Sequence, residues 1–332
     1  MKFIHCADLH LSSPLTANLP PKKAERIHAG IFYALESLID KAKKSSISLI
    51  VIAGDLFDTT NINPSVLHRF KLLVSANPDI TFLFVYGNHD YTNDNPFADF
   101  SQNFKVLSSG ESLLIEDTFF WAYSNALPSL PIDSFNVVIA HGDVNGEINL
   151  PSLKNKNIDY LALGHIHGAR LEKLDERGVW AYSGCLVGRG WDELGEKGYY
   201  LVDTTTKTYA FTPIGAITFN EIVKDITPYS TILEFENAFM LETNAYDQNS
   251  ALRLVITGEI TDENFIDFSY LQTMLSEKFF YFELKDKTRI SFDNLLGESV
   301  SLKGEFLKVI KQKGYTEEVE KQIIETGLKY LK

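Results

Sequence analysis

The chain has 332 residues, of which 45% are hydrophobic and 23% are charged, and its formal net charge is −13. This length and composition are typical of a globular protein with two domains and a buried core. The acidic charge argues against a general polyanion binder, because phosphate neutralisation needs an excess of Lys and Arg, although bound metals could supply positive charge locally.

The number of cysteines and the distribution of apolar residues indicate the cellular compartment of the protein. Two cysteines, Cys6 and Cys185, are too few for a disulfide framework, which favours a reducing environment. We expect both to be small buried hydrophobic residues. The first seven residues are too polar for a signal peptide, and no apolar run is long enough to span a bilayer. The sequence therefore predicts a cytoplasmic protein without a membrane segment.

Apolar strands alternate with amphipathic helices in the first part of the chain. Strands are predicted at 2–7, 48–53 and 80–86, and helices at 22–44 and 64–76. Such alternation is typical of βαβ units and a largely parallel sheet.

Shorter strands follow. We predict two short antiparallel strands at 113–115 and 119–123, and two apolar strands at 137–140 and 160–163. A meander-like series of strands then follows, near 168–174, 179–183, 198–203 and 207–212.

A domain boundary is expected between Pro213 and Pro228, so that residues 1–215 form one domain and residues 216–332 a second. The second domain is predicted to contain two strands, at 252–256 and 279–285, and three helices, at 263–276, 302–313 and 316–331.

Imidazole, carboxylate and amide side chains lie just past the ends of the apolar strands. They are Asp8, His10, Asp55, Asn88, His89, His141, His165 and His167. Because the carboxyl ends of neighbouring parallel strands meet at one edge of a sheet, these side chains are expected to converge. The remaining histidines, His5, His28 and His68, are expected to be structural or surface residues.

Mixed nitrogen and oxygen ligands suit divalent manganese, iron or zinc, and the absence of thiolates among them argues against a structural zinc cage. The set is too large for one tetrahedral ion. Asp55 can offer one carboxylate oxygen to each of two cations, so that seven ligands make two sites of about four each. Two ions roughly 3.5–4 Å apart can clamp a phosphate ester and generate hydroxide from water at neutral pH.

Five motifs resemble, in order, the full motif set of the calcineurin-like metallophosphoesterases: Asp8-x-His10, Gly54-Asp55-x-x-Asp58, Gly87-Asn88-His89-Asp90, His141-Gly142 and Gly164-His165-x-His167. Further segments resemble the SbcD branch of DNA-repair exonuclease subunits, which includes YhaO-type proteins: Asp8-Leu9-His10-Leu11, Gly54-Asp55-Leu56-Phe57-Asp58, Gly164-His165-Ile166-His167, Tyr182-Ser183-Gly184 and Lys197-Gly198-Tyr199. The resemblance covers residues 1–215 well. It implies a four-layer αββα sandwich with a small C-terminal α/β capping domain.

The resemblance also implies roles for the site residues. One metal would be held by Asp8, His10, Asp55 and His167, and the other by Asp55, Asn88, His141 and His165. A hydroxide activated by both metals would attack the phosphorus. His89 would stabilise the transition state or protonate the leaving oxygen, and Asp58 would orient His89, although Asp58 could equally cap the following turn.

By resemblance, the chain is expected to be a manganese-dependent DNA nuclease in DNA repair. It would form a homodimer and bind an SbcC-like coiled-coil ATPase, with the helices at 302–331 as the docking element.

Two alternatives stay open. A metallophosphoesterase for small nucleotides or other phosphoesters is favoured by the acidic charge, and a non-catalytic DNA-end-binding scaffold is disfavoured by the complete ligand set. The loop Tyr91–Asn95 has no basic residue to meet a DNA backbone, and residues 154–189 mix basic with acidic side chains. Arg189 and Trp191 could stack a base, although such a Trp is more often a core or interface residue.

Overall fold

The computed structural model describes residues 1–11, 13, 15, 19–58, 62–90, 96–215, 217–260, 267–290 and 302–330. The chain divides into two units, Met1–Phe219 and Asn220–Lys332. The division falls between Pro213 and Pro228, where the sequence places a domain boundary. The roles assigned to the two parts, catalysis and capping, stay predictions.

The first unit alternates helices and strands over its N-terminal part. Its described helices are α1 Pro21–Lys44, α2 Pro64–Ser75 and α3 Leu150–Leu153. Its described strands are β1 Lys2–Cys6, β2 Leu49–Ala53, β3 Thr81–Val85, β4 Phe104–Val106, β5 Ser112–Ile115, β6 Thr118–Ala122, β7 Phe135–His141, β8 Tyr160–Gly164, β9 Arg170–Lys173, β10 Val179–Tyr182, β11 Gly198–Asp203 and β12 Thr208–Pro213.

These strands form two six-stranded sheets, with the orders β12-β11-β1-β2-β3-β4 and β5-β6-β7-β8-β10-β9. In the first sheet β1, β2 and β3 run parallel, because α1 and α2 carry the chain back to the starting edge. In the second sheet β7 and β8 are parallel as well. The carboxyl ends of β1, β2 and β3 therefore lie at one edge of the first sheet, as the sequence predicts.

The two sheets pack face to face over one apolar core. Phe3, Val51 and Leu83 of the first sheet share this core with Phe120 and Ile139 of the second. The rings of Phe3 and Phe120 meet edge to face, with their centroids 5.3 Å apart. All five residues of β2 are buried, because both faces of this strand are covered.

Helices cover the outer face of the first sheet. Lys41 of α1 places its Nζ 6.0 Å from the ring centroid of Tyr199, and Phe70 of α2 packs against Phe104 at 5.7 Å. On the outer face of the second sheet, Leu161 packs with Leu153 of α3 and with loop residues. The predicted α/β sandwich is confirmed, and its fourth layer consists, in the described residues, of the short α3 and loop segments.

The predicted meander over 168–212 is wrong in its connectivity. The hairpin of β9 and β10 belongs to the second sheet, whereas β11 returns to the first sheet and pairs antiparallel with β1. Alternation of apolar residues identifies each strand, but it does not say which sheet a strand joins.

The second unit has its own core. Its strands β13 Thr218–Asp225, β14 Ser250–Thr257 and β16 Tyr281–Asp286 form one sheet, and β15 Glu259–Ile260 pairs with β17 Arg289–Ile290. Helices α4 Ile232–Glu242 and α5 Ser269–Lys278 pack Phe235, Phe239 and Leu271 against Leu254 of β14. The sequence prediction missed β13 and α4, and residues 263–266 of its helix lie outside the described residues.

Two more helices, α6 Leu302–Gln312 and α7 Glu317–Tyr330, lie near the predicted spans. They pack against each other through Leu307, Ile310 and Ile324.

His5 of β1 is a structural residue, as predicted. It is fully buried between the sheets, and its Nδ1 lies 2.8 Å from the hydroxyl oxygen of Tyr160 on β8. Burial lowers the pKa of His5 to about 3. The folded protein therefore keeps this imidazole neutral at a pH where the unfolded chain, with an ordinary histidine pKa near 6.5, already binds a proton.

This difference makes folding sensitive to acid. As the pH falls from about 6.5 towards about 3, proton binding to the unfolded state stabilises that state, so the free energy of unfolding decreases. Between pH 7 and pH 5 the loss from His5 alone is about 2 kcal/mol.

We expect His5→Gln to flatten the plot of the free energy of unfolding, measured with urea, against pH over this range. The change in slope should correspond to about one proton fewer bound on unfolding. His68→Gln, which removes an exposed histidine, is the control and should leave the slope unchanged. An equal slope in His5→Gln and in the unsubstituted protein would contradict this account.

Candidate metal centre

The ends of five strands deliver the predicted site residues to one place. β1 is followed by Asp8 and His10, β2 by Asp55, and β3 by Asn88 and His89. From the second sheet, His141 ends β7, while His165 and His167 follow β8. Asp8, His10 and Asp55 are almost completely buried.

Four of the predicted site residues have a left-handed backbone conformation. The φ angles are 51° at Asp8, 45° at His10, 51° at Asp55 and 102° at His165. Such conformations cost roughly 1–3 kcal/mol each in residues with a Cβ, and they cluster at functional sites. Two backbone hydrogen bonds join the loops after β1 and β2. The amide of Asp8 donates to Gly54 O at 3.1 Å, and the amide of His10 donates to Asp55 O at 3.1 Å.

Asp90 joins the loop after β2 to the loop after β3. It is buried, and its carboxylate accepts hydrogen bonds from the amides of Leu56, Phe57 and Gly87 at 3.3, 2.9 and 3.0 Å. Burial raises the pKa of Asp90 to about 6, against the opposing effect of these hydrogen bonds. A side chain at Gly87 would place its Cβ 2.1 Å from Asp55 Oδ1, so this approach requires glycine.

One group of ligands is formed by Asp8, His10 and His167, whose ligand atoms all lie within 4.8 Å of one another. The Nε2 atoms of the two histidines are 3.2 Å apart. Both oxygens of Asp8 accept from the amide of His165, and burial raises the pKa of Asp8 to about 6 despite the nearby His141 and His167.

A second group contains Asn88, His141 and His165. Asn88 Oδ1 lies 2.9 Å from His141 Nε2 and 3.3 Å from His165 Nδ1. Asp8 also approaches this group, with its Oδ1 3.9 Å from His141 Nδ1.

Asp55 lies between the two groups. Its Oδ2 is 3.2 Å from His141 Nε2 and 3.9 Å from His10 Nε2, while Oδ1 accepts from the amide of His89 at 3.0 Å. Burial alone would raise the pKa of Asp55, but hydrogen bonding and charge attraction from His141 outweigh burial, and the pKa is below its usual value. One ionised carboxylate is therefore within reach of both groups.

The histidines present lone pairs to the site. The outer nitrogen, Nδ1, of His10 lies 2.9 Å from Asp58 Oδ1, that of His167 lies 2.7 Å from Glu193 Oε1, and that of His141 lies 2.9 Å from the carbonyl oxygen of Ala53. At His167 and His141, an oxygen acceptor at Nδ1 favours a proton on that nitrogen, so that Nε2 would be the atom that meets a cation, whereas the 2.9 Å contact of His10 Nδ1 with Asp58 is an ion-pair distance without a hydrogen bond.

This donor set fits divalent cations. Burial lowers the pKa of His10 to about 3, so its imidazole is neutral as a metal ligand must be. The Nε2 atoms of His10 and His167, 3.2 Å apart, are close enough for one cation to contact both. The nearby carboxylates of Asp8, Asp55, Asp58 and Glu193 give the site an excess of negative charge over the guanidinium of Arg189.

Asp58 meets His89 differently from the prediction. His89 is exposed, and its Nδ1 lies 3.0 Å from the main-chain carbonyl oxygen of Asp58. The Asp58 carboxylate instead approaches His10 and the guanidinium of Arg189, at 3.2 Å from its Nη1. The carboxylate is drawn away from His89 by the buried positive charge of Arg189.

Three residues contact His167 from behind in a way that the sequence did not predict. Arg189, Glu193 and Lys197 are buried, and Lys197 Nζ donates to His167 O at 2.9 Å. Burial alone would raise the pKa of Glu193, but His167 and Arg189 hold it well below its usual range. The four-residue spacing of Arg189 and Glu193 was the available signal.

Base stacking by Arg189 and Trp191, considered from the sequence, does not match the structure. Arg189 is buried against Glu193, and the Trp191 ring packs edge to face on Phe219 with centroids 5.1 Å apart. Both cysteines are buried and free, as predicted. The loop 91–95 lies outside the described residues.

Comparison with known proteins agrees with this site. Residues 1–169, more than half of the chain, match the family model "Calcineurin-like phosphoesterase". The chain is 27% identical over 262 residues to the uncharacterized metallophosphoesterase YhaO of Bacillus subtilis, covering 68% of this chain and 64% of that protein.

Two further similarities extend the comparison. The chain is 25% identical over 341 residues to the DNA double-strand break repair protein Mre11 of Saccharolobus solfataricus, covering 89% of this chain and 85% of that protein. The crystal structure of TT1561 of Thermus thermophilus aligns with a TM-score of 0.43 at 12% identity, over 64% of this chain and 98% of that one.

Among the described residues, no helix combines the length and apolar character needed to cross a membrane. Two clusters of described residues could each hold a metal ion, namely Asp8, His10 and His167, and Asp8, Asp55 and His141, as expected in a metal-dependent phosphoesterase family. This chain therefore belongs to the calcineurin-like phosphoesterase family.

Proposed function

We propose that this protein is a manganese-dependent DNA nuclease of the SbcD type that hydrolyses phosphodiester bonds at a two-metal site. The observation that carries the proposal is the position of Asp55, whose Oδ2 lies near both His141 Nε2 and His10 Nε2. A carboxylate in this position supports two adjacent ions that share one ligand.

Each ion would have its own set of ligands. Asp8, His10 and His167 would hold one ion, Asn88, His141 and His165 would hold the other, and Asp55 would contact both. When bound, two such ions polarise the phosphate ester and lower the pKa of water.

His89 is placed to handle the proton of the leaving group. With Nδ1–H donating to the carbonyl oxygen of Asp58, an imidazolium at His89 would give its Nε2 proton to the leaving oxygen and be left neutral, with its remaining proton on Nδ1. The ring is exposed and lies beside His10, with the two centroids 5.5 Å apart. His89 therefore reaches substrate from the solvent side of the ligands.

DNA as substrate is supported by the relative named a DNA double-strand break repair protein, whose alignment covers 89% of this chain. That alignment is too long to be confined to residues 1–169, where the family model matches. The further segments that resemble the SbcD branch add to this support.

Hydrolysis of small phosphoesters is the second candidate. The net charge of −13 favours it, because it opposes the approach of a polyanion. Arg189 and Lys197, the basic side chains that contact His167, are buried and bonded within the protein, so they do not present charge to a DNA backbone. A non-catalytic scaffold is less well supported, because none of the predicted ligand positions has lost its imidazole, carboxylate or amide, and a histidine is present at position 89.

We further propose a homodimer, and docking of an SbcC-like coiled-coil ATPase on α6 and α7. The two helices bury Leu307, Ile310 and Ile324 between them. Leu302 and Tyr330 remain 72% and 84% exposed, and exposed apolar side chains on paired helices suit a helical partner.

The substrate is tested by comparing hydrolysis of end-labelled linear DNA, bis-(p-nitrophenyl) phosphate and nucleotide monoesters in Mn²⁺. We expect DNA and the diester to be cleaved and the monoesters to be poor substrates. Efficient hydrolysis of nucleotide monoesters together with intact DNA would support the second candidate instead.

Replacing His89 should separate catalysis from metal binding. We expect His89→Leu to lower the rate of diester hydrolysis by about 10²–10⁴-fold, the usual contribution of a general acid, while two ions per chain remain bound. Bound metal is measured by elemental analysis after equilibrium dialysis. His28→Leu, at an exposed position on α1, is the matched control, and loss of metal in His89→Leu would make His89 a ligand.

Removing residues 300–332 should abolish co-purification with the coiled-coil ATPase. Diester hydrolysis by the truncated chain should persist, because the predicted ligands all lie in the first unit. Undiminished co-purification would show that the ATPase docks elsewhere.

A further inference from the structure

We infer that Glu193 and Arg189 are positioning residues which, together with Asp58, orient His10 and His167 and make their metal site the tighter of the two. The inference rests on the proposed two-metal function. It concerns three charged side chains from two loops, Asp58 from the loop after β2 and Arg189 and Glu193 from the loop between β10 and β11, which meet behind the two histidines, on the side away from the ligand atoms.

Glu193 supports His167. Its Oε1 lies 2.7 Å from His167 Nδ1, and Glu193 itself is only 3% exposed. A carboxylate at this nitrogen holds the proton on Nδ1, fixes the direction of the ring and makes Nε2 a stronger donor. Asp58 also approaches His10, with Oδ1 2.9 Å from Nδ1, but this contact is an ion-pair distance without the hydrogen bond that Glu193 makes to His167.

Arg189 connects the two carboxylates. Its Nε donates to Glu193 Oε1 at 3.0 Å, its Nη1 lies 3.2 Å from Asp58 Oδ1, and its own amide donates to Glu193 Oε2 at 2.7 Å. Nη1 also donates to the hydroxyl of Ser13 at 2.7 Å. One buried guanidinium thus holds both carboxylates at fixed positions, which two like charges would not keep by themselves.

Among the described residues, no carboxylate lies within hydrogen-bond distance of Nδ1 in either histidine of the second group, since Asp8 Oδ1 is 3.9 Å from His141 Nδ1. The Nδ1 of His141 faces the neutral main-chain carbonyl of Ala53, and the Nδ1 of His165 faces the ligand Asn88. A carbonyl increases the basicity of an imidazole less than a carboxylate does. The His10 and His167 site is therefore expected to bind its ion first and more tightly.

The experiment measures Mn²⁺ binding to the apo form of the full chain by isothermal titration calorimetry and equilibrium dialysis. We expect two ions of unequal affinity in the unsubstituted protein. Glu193→Gln keeps the shape of the side chain but removes its charge, and should weaken the tighter site by about 10–100-fold while leaving the other unchanged. Asp55→Asn, in contrast, should weaken both.

Glu196→Gln is the matched control, because it makes the same charge change at an exposed position in the same loop. Asp58→Asn provides a second route, since it removes the carboxylate behind His10 and should weaken the same site. Thermal unfolding of each apo variant shows whether it folds, and Asp58→Asn decides the matter if Glu193→Gln does not.

Electron paramagnetic resonance supplies a readout independent of activity. With two equivalents of Mn²⁺, the unsubstituted protein should show the signal of a coupled pair, and Glu193→Gln the six-line signal of isolated ions. Unchanged affinities in both variants, or equal weakening of both sites, would overturn the inference. Fewer than two ions in the unsubstituted protein would instead overturn the two-metal function.

Discussion

The carboxylate of Asp55 is the contact on which the rest of the centre depends. One of its oxygens is held by the amide of His89, and the other faces imidazoles from both sheets. A side chain can take this place only if the chain leaves β2 sharply, which explains the left-handed backbone at Asp55 and the glycine before it. The two sheets can therefore share one site although each contributes its own histidines.

The surrounding loops are held by backbone hydrogen bonds rather than by regular structure. The loop after β1 bonds to the loop after β2, and Asp90 joins the latter to the loop after β3. These contacts compensate for strained backbone at several ligands. The chemistry is thus carried by loops whose positions are set by the strands and by each other.

Much of the first unit could be predicted from the sequence, because its strands are short apolar runs and its helices have regular apolar spacing. The convergence of the candidate ligands could be predicted for the same reason, since each lies at or just past the end of a strand, whereas their binding of metal stays a prediction. The predictions that failed concern strands whose pairing depends on contacts between residues far apart in the sequence. The sheet that β11 joins is decided by pairing with β1, and the strand β13 has alternating exposed residues that carry a weak apolar signal.

The positions of the charged residues behind His167 could not be predicted from the sequence either. Glu193 and Arg189 look like an ordinary exposed pair four residues apart, and only the folded chain shows them buried behind His167. Asp58 was expected to orient His89, and the group that meets the His89 ring is the main-chain carbonyl of Asp58 rather than its carboxylate. Which atom of a loop residue makes a contact depends on backbone angles that composition does not encode.

The pairing of β1 with β11 has a consequence for biosynthesis. The terminal amine of Met1 donates to Thr204, a residue 203 positions later, so β1 can pair early with β2 but gains its second neighbour, β11, only after nearly the whole first unit has been translated. Pairing between such distant segments is slow to form. Asp8 and His10 follow β1 directly, so the two carboxyl-terminal neighbours of β1 that belong to the candidate centre would be held by a complete sheet only after β11 has emerged from the ribosome.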